Sequence, residues 1–311
     1  MLNTTKSGRI GIFLFVGVYL LLGCGTTPLP AEKAAFSPVL SADEAAASSA
    51  EAEQTSAAPV AAVSAGYVRD TARFGAARRE VEKFAKGDSR QDYASGAVFA
   101  NFREIRLGGI PPRVLYRGSH PALPGDARFP YAQQLAENAR VVTVLNLADT
   151  EDEIVLRAEN IPWYQNFINK NNIAALALPN DFTEPGFFAG LKTALSFMAA
   201  RNPPYLIHDI DGGESTGFVA ALLEALMGAS AEEIAADYMT SYTNLYKIPA
   251  DGDSYRIIAW LAEDVLLKIC DGKVPQHRDL QREAERLILE EIGLGRNELE
   301  LLKRKLSGIL G

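Results

Sequence analysis

The sequence predicts an α/β domain in which a mostly parallel central sheet is followed by an all-helical C-terminal part. Residues 141–147 form a continuous strand-like run, as expected for a strand that helices cover on both faces. Strand-like and helix-like segments alternate as β-α-β-α up to residue 208, which favours parallel strands. After Gly217 no convincing strand pattern follows, and the remaining segments have helical spacing.

The first half of this domain is predicted to contain four strands and two helices. The strands are predicted at 114–116, 141–147, 173–178 and 205–208. The helices are predicted between them, at 131–138 and 187–200.

The second half is predicted to be helical throughout. Apolar residues from Phe218 to Leu226 recur at i, i+3, i+4, i+7 and i+8, which predicts a helix ending at Gly228. Ser230 and Glu233 form a capping box for the next helix, through Tyr238. Three further helical patterns lie at 255–269, 280–292 and 297–306.

The N-terminus predicts an export signal. Lys6 and Arg9 precede an uncharged run at 10–22, which is shorter than the about 20 residues that span a bilayer. The run ends in Leu-Leu-Gly-Cys24, which resembles a bacterial lipobox and predicts cleavage before Cys24 with lipid on its thiol. An ordinary secretory signal with an incidental cysteine stays open as the alternative. The prediction is an exported, lipid-anchored protein of the bacterial cell envelope, with inner or outer membrane undecided.

The domain organisation follows from these segments. Residues 1–23 are predicted to be a lipoprotein signal peptide, and residues 24–66 the lipidated cysteine with a flexible tether rich in Ala, Ser, Pro, Glu and Thr. An Ala-rich helix is the competing interpretation of this tether. Residues 67–311 are predicted to be the folded domain.

Charge and cysteine content limit the partners. The chain carries a net charge of −8, and losing Lys6 and Arg9 with the signal changes it to −8 − 2 = −10, which disfavours nucleic acid. Cys270 is the only cysteine besides Cys24 and is predicted to be a small buried residue, so no disulfide is expected in the mature chain. The predicted partners are the membrane, through lipid on Cys24, and a protein whose identity the sequence does not give.

A ten-residue loop lies between the last predicted strand and the first helix of the second half. Its composition and position are typical of a loop that wraps backbone N–H groups around phosphate at a helix N-terminus. Its residues are His208, Asp209, Ile210, Asp211, Gly212, Gly213, Glu214, Ser215, Thr216 and Gly217.

Several separated strings, in order, carry a family resemblance. They lie at 101–104, 115–121, 144–149, 205–208, 217–230, 237–239 and 292–294. With them the sequence resembles the bacterial cysteine-dependent protein tyrosine phosphatases of the atypical dual-specificity type over most of residues 98–306. The resemblance implies a phosphatase-like three-layer domain that uses no cofactor.

The resemblance also shows which catalytic groups are absent. In that family the loop reads HC-x-x-G-K-D-R-[ST/A]-G, in which the Cys thiolate attacks phosphorus and the Arg clamps the phosphoryl oxygens. Asp209 stands at the Cys position and Ser215 at the Arg position, so no catalytic set is intact. Gly213 and Glu214 stand at the Lys and Asp positions, while His208, Gly212, Thr216 and Gly217 match the family.

The family's general acid corresponds most closely to Asp181. The alternative is that Asp181 caps a helix that begins near Glu184. The Asp209 carboxylate is expected to accept the loop's N–H groups in place of phosphate. His208 is expected to order the loop through hydrogen bonds.

Two functions follow from this pattern. The first is a membrane-tethered pseudophosphatase that acts as a binding or scaffold module. The second is an active phosphomonoesterase, of the protein tyrosine or phosphoinositide phosphatase class, with a non-Cys nucleophile such as Asp209.

Two other interpretations of the acidic loop are weaker. An apolar strand ending in Asp209-Ile210-Asp211-Gly212 resembles the haloacid-dehalogenase phosphatases, but there most of the sheet follows the motif, whereas here helices follow it. A Ca²⁺ or Mg²⁺ site at Asp209, Asp211 and Glu214 would use hard oxygen ligands, but Ala220 stands where an EF-hand-like loop needs a Glu. His120 and His208 have no second ligand at metal-binding spacing. The sequence therefore predicts no metal site.

Overall fold

A computed structural model of the chain describes residues 66–273 and 277–309. Within them a five-stranded sheet has the order β1-β2-β5-β3-β4. Its outer strand β1 is antiparallel to β2, and the other neighbours are parallel. The strands are β1 (Arg103–Ile105), β2 (Leu115–Gly118), β3 (Thr143–Asn146), β4 (Ile173–Ala175) and β5 (Tyr205–His208).

Helices cover both faces of this sheet and continue to the end of the described chain. The helices up to β5 are α1 (Thr71–Val81), α2 (Gly96–Phe99), α3 (Phe129–Asn138), α4 (Glu151–Ala158), α5 (Pro162–Asn169) and α6 (Phe187–Ala200), with a 3₁₀ turn at Arg90–Asp92. The later ones are α7 (Glu214–Leu226), α8 (Ala231–Tyr246), α9 (Asp253–Ile258), α10 (Trp260–Ile269), α11 (His277–Arg286) and α12 (Arg296–Leu306), with a π-helical turn at Leu287–Glu291. This confirms the predicted α/β domain with an all-helical C-terminal part.

The strands place alternate side chains in two separate cores. Leu115, Leu145 and Ile207 belong to the larger core, with α6, α7 and the C-terminal helices. Their neighbours Tyr116, Val144 and Leu206 belong to the smaller core, with α3, α4 and α5. Because successive side chains in a strand point to opposite faces, this division produces three layers.

The structure differs from the predicted elements in a few places. β1 was not predicted, because three residues at the edge of the sheet carry too short a pattern. The helices α4 and α5 between β3 and β4 were also not predicted, although α4 has the capping box Thr150 and Glu153. The helix predicted over 255–269 divides into α9 and α10. Cys270 is buried, as expected.

The segment before α2 is part of the larger core. Ala77 and Val81 of α1 are buried there, and α1 packs against α9 and α10. The predicted signal peptide, Cys24 and the tether up to residue 65 lie outside the described residues. Among the described helices, none is both long enough and apolar enough to cross a bilayer.

Candidate functional site

The loop predicted to be the site connects β5 to α7. His208 is the last residue of β5, and α7 begins at Glu214. β5 lies between β2 and β3 and is parallel to both, so the loop leaves the middle of the sheet at the carboxyl ends of these strands. It also precedes the N-terminus of a 13-residue helix, where backbone N–H groups and the helix dipole favour negative charge.

The Asp209 carboxylate fills the centre of this loop. Its Oδ1 accepts hydrogen bonds from the backbone N–H groups of Asp211 (3.0 Å) and Gly212 (2.5 Å). Its Oδ2 accepts from the N–H of Thr216 (3.0 Å) and from the Ser215 hydroxyl (3.0 Å). The hydrogen bonds expected of Asp209 are therefore present, and the residue is 5% exposed.

The outward-facing carbonyls of the loop are held by side chains from the adjoining elements. The Asn101 amide donates to the carbonyls of Asp211 (3.0 Å) and Gly212 (3.1 Å). The Ser119 hydroxyl donates to the Asp211 carbonyl (3.1 Å), and Arg117 Nη2 donates to the Gly212 carbonyl (2.9 Å). The Asp211 carbonyl shares its peptide with the Gly212 N–H, which donates to Asp209, whereas the Gly212 carbonyl shares its peptide with the Gly213 N–H, which donates to Asp211 Oδ1 (3.0 Å).

Gly212 is required by the path of the loop. Its backbone φ is +77°, a conformation that residues other than glycine rarely adopt. A Cβ at this position would lie 2.5 Å from the Gly118 carbonyl oxygen, which belongs to the backbone of β2. The loop therefore lies directly against β2, and a larger residue at 212 would displace it.

A buried ionic cluster supports the loop on the β1 and β2 side. We call it the arginine cluster and define it as Arg103, Arg117, Asp237 and Glu224. Arg103 and Arg117 are register partners in β1 and β2, and both donate to the Asp237 carboxylate, at 2.6 Å each through Nε and Nη1 respectively. Burial and the neighbouring Arg117 lower the pKa of Arg103. Asp237 is desolvated as well, but the two arginines hold its pKa well below the usual range.

Glu224 of α7 completes the arginine cluster without a hydrogen bond. Its side chain is fully buried, and neither carboxyl oxygen has a partner among the described residues. Burial, followed by the negative charge of Asp237, raises the pKa of Glu224 well above its usual value. Burial therefore favours the neutral form of Glu224 in the folded protein.

A second network, formed by imidazole, amide and hydroxyl groups around one aspartate, lies on the β3 side. We call it the histidine network and define it as His120, Asn146, Asp149, Tyr164 and His208. His120 Nε2 contacts Asp149 at 2.7 Å, and the Asn146 amide donates to Asp149 (2.9 Å) and to the Tyr164 hydroxyl (2.8 Å). The Tyr164 hydroxyl lies 3.2 Å from His208 Nε2.

The histidine network fixes His208 as expected. His208 Nδ1 lies 3.2 Å from the Asp209 carbonyl, so it carries the proton and donates, while Nε2 accepts from Tyr164. Burial, with the nearby His120, lowers the pKa of His208 well below its usual value. His208 is a neutral residue that orients the start of the loop.

Asp181 is held by Arg69 and Thr183. Its Oδ2 is paired with Arg69, and its Oδ1 accepts from the N–H and hydroxyl of Thr183, both at 2.8 Å. Although burial opposes ionisation, the hydrogen bonds from Arg69 and Thr183 lower the pKa of Asp181. An acid of lowered pKa is ionised at neutral pH and is a poor proton donor. The alternative that Asp181 caps the following helix is wrong, because it caps the turn at 181–184 and α6 begins later, at Phe187.

The other acids of the loop are paired with cations from the N-terminal segment. Lys86 is bonded to Asp211 Oδ2, and Arg78 to Glu214 Oε1. Burial and the charge of Asp209 raise the pKa of Asp211, while Lys86 opposes this rise. No cluster of three or more metal-binding side chains exists among the described residues. The acids of the loop therefore meet ammonium and guanidinium groups rather than forming a cation cage.

A cavity of about 300 Å³ opens above Asp209. Asp209, Asp211 and Glu214 line it from the loop, and Arg78 and Lys86 line it from the N-terminal segment. Ile210, which is 44% exposed, also faces this space. A dianion entering here would meet the Asp209 carboxylate and find the N–H groups of 211, 212 and 216 already bonded. Like charges about 4 Å apart repel by ~4 kcal/mol at an effective dielectric of 20, so the geometry opposes phosphate binding.

Several residues of the site were not predicted from the sequence. Asn101 and Arg117 lie in strings that matched the family, but nothing in the sequence showed that they bond the loop. Arg69, Arg78 and Lys86 lie in a charged helical segment whose position over the loop is set by tertiary packing. Phe182 and Phe187, close to Asp181 in the sequence, pack against Phe218 in the larger core.

The comparison with known proteins agrees with this architecture. The model of the tyrosine phosphatase family matches residues 100–306. No curated protein matches the chain. The matched region contains all five strands, the loop and the helices that follow it, and it covers more than half of the chain. The chain therefore belongs to the tyrosine phosphatase family.

Proposed function

We propose that this chain is a pseudophosphatase, a member of the tyrosine phosphatase family that acts as a binding or scaffold module. One observation carries the proposal: the Asp209 carboxylate accepts the loop N–H groups that a phosphoryl group would need. The replacement of the family's Cys by Asp209 and of its Arg by Ser215 removes the nucleophile and the clamp.

The alternative is an active phosphomonoesterase with Asp209 as nucleophile. Both carboxylate oxygens of Asp209 accept two hydrogen bonds each, which lowers their nucleophilicity and fixes their direction. Asp181, the expected general acid, is paired with Arg69. These contacts favour the binding module over the enzyme.

The test is turnover of an aryl phosphate. The full chain should not hydrolyse p-nitrophenyl phosphate or bind vanadate, and Asp209→Asn should behave in the same way. Robust hydrolysis by the wild type that is lost in Asp209→Asn would overturn the proposal and establish the aspartate nucleophile.

A restoration experiment examines the loop itself. The variant Asp209→Cys with Ser215→Arg should bind vanadate, because the N–H groups are then free and a guanidinium is present. Asp209→Cys alone should bind much less. Gly213 should be kept, since a Cβ there would lie 2.7 Å from Asp211 Oδ1. Failure of the double variant to bind would show that the loop depends on the carboxylate for its shape.

We further propose that the module is held at a membrane of the bacterial cell envelope by lipid on Cys24. The support is the basic residues, the apolar run and the Leu-Leu-Gly-Cys string at the N-terminus. Mass spectrometry of the mature N-terminus should find Cys24 first in the chain and carrying a diacylglycerol mass. An unmodified chain that begins elsewhere would refute the anchor.

A further inference from the structure

The segment that follows α1 places one side chain, that of Lys86, at the cavity above the loop. Residues 82–89, which we call the lid, connect α1 to the 3₁₀ turn, and six of these eight residues are exposed. The exceptions are Phe84, which packs partly against the larger core, and Gly87. The lid lies before the family-matched region, which begins at residue 100.

One side chain attaches the lid to the loop. The Lys86 ammonium is bonded to Asp211 Oδ2 and lies 5.6 Å from the centre of the Tyr246 ring. Lys86 and Asp211 both line the cavity, together with Asp209. The Lys86 side chain is 35% exposed, so it reaches the cavity from solvent.

The two ends of the lid are anchored elsewhere. At its start, Ala77 and Val81 fix α1 in the core, and Glu80 accepts a hydrogen bond from Ser254 (2.7 Å). At its end, the Tyr93 hydroxyl bonds the backbone of Gly87, and Arg128 donates to the Gly87 carbonyl. Between these anchors, Lys86 to Asp211 is the ionic contact that joins the lid to the loop.

We propose that residues 82–89 form an autoinhibitory lid, latched over the cavity by the ion pair of Lys86 with Asp211. In the closed state the ammonium is bonded to Asp211, which lines the cavity together with Asp209, so a ligand that binds Asp211 must displace it. Arg78, bonded to Glu214 from the well-packed α1, stays in place when the lid opens. The inhibitory role rests on the proposed binding function, but the latch itself does not.

Hydrogen exchange of the full chain measures the latch directly. The reporters are the amides of Phe84, bonded to the Val81 carbonyl (2.9 Å), and Gly87, bonded to the Tyr93 hydroxyl (3.1 Å). Lys86→Met removes the charge and keeps most of the stem, so these amides should exchange about three- to fivefold faster, as for loss of a partly exposed ion pair. Lys83→Met is the matched control, because Lys83 is 65% exposed and pairs with Glu80, at the end of α1. It should leave the two reporters unchanged.

A variant of the partner residue Asp211 distinguishes loss of the ion pair from a general loosening of the lid. Asp211→Asn keeps the acceptor for the Gly213 N–H (3.0 Å) and removes the charge that Lys86 contacts. It should speed exchange as much as Lys86→Met does, and the double variant should add nothing further. Added salt should speed amide exchange in the lid of the wild type, and it should have little effect on amide exchange in the lid of Lys86→Met.

Two results would overturn the proposal of a lid. One is equal exchange rates of the reporter amides in Lys86→Met and Lys83→Met, and the other is additive effects of Lys86→Met and Asp211→Asn on these rates. Because no substrate enters these measurements, they are independent of the phosphatase assay. Hydrolysis by the wild type would refute the pseudophosphatase and leave the latch result standing.

Discussion

The two buried networks beside the loop differ in how completely their polar groups are bonded. In the histidine network every polar side chain has a partner, from His120 through Asn146 to His208. In the arginine cluster Asp237 is bonded by both arginines, yet neither carboxyl oxygen of Glu224 has a hydrogen-bond partner in the described part of the chain. The difference teaches that the first network orients the loop through groups that are all hydrogen-bonded, whereas the second contains a carboxyl group whose ionisation would place an unpaired charge in the core.

The largest expected effect is the loss of Arg117. Arg117→Ala should lower the free energy of unfolding by about 3–5 kcal/mol, because it leaves Asp237 short of a partner in a buried site and removes one of the hydrogen bonds to the Gly212 carbonyl. Urea unfolding followed by circular dichroism gives the value. The matched control is Arg106→Ala, whose side chain is 61% exposed and pairs with Glu104; it should cost less than about 1 kcal/mol. A loss at Arg117 as small as at Arg106 would show that the arginine cluster does not hold the loop.

The next effect depends on pH and concerns Glu224. Because its pKa is raised in the folded state, the folded protein keeps a proton that the unfolded chain releases above about pH 4.5. The contribution of the protonated Glu224 to the free energy of unfolding is therefore fully present below this pH. It decreases as the pH rises toward the folded-state pKa, by ~1.4 kcal/mol per pH unit for one proton.

Glu224→Gln removes this loss while keeping the shape of the protonated acid. The variant should be more stable than the wild type at pH 8, and the difference should shrink as pH falls to 5. Urea unfolding at several pH values measures it. A difference that instead grows toward acid pH would mean that Glu224 is ionised and serves the arginines as a second carboxylate.

The smallest expected effect lies in the fully bonded network. Tyr164→Phe removes the hydroxyl between Asn146 and His208 and should cost about 1–2 kcal/mol. Tyr255→Phe, at a half-buried tyrosine that forms no side-chain hydrogen bond with any described residue, provides the control and should be near neutral. If the two substitutions cost the same, the hydroxyl of Tyr164 contributes nothing to the orientation of His208.

The comparison also shows which features a sequence can reveal. Strands β2 to β5, α6 and α7 have clear apolar patterns, so the order of elements was predictable, and the family strings located the loop. The hydrogen bonds of Asp209 followed from the chemistry of a carboxylate at a helix N-terminus. Neither network could be predicted from the sequence. Arg103 meets Asp237, and His120 meets Asp149, only through tertiary packing. Asp181 illustrates the same limit, since its pairing with Arg69 joins residues separated by 112 positions.

The close approach of Gly212 to the backbone of Gly118 has a consequence for how such proteins are recognised. The restriction at residue 212 is steric and remains whether residue 209 is a nucleophile or an acceptor of hydrogen bonds. Packing against β2 therefore restricts residue 212 independently of the chemistry at residue 209. A search for the family's Cys and Arg would not find this chain. Gly212 and Gly217 of the loop around those positions still match the family.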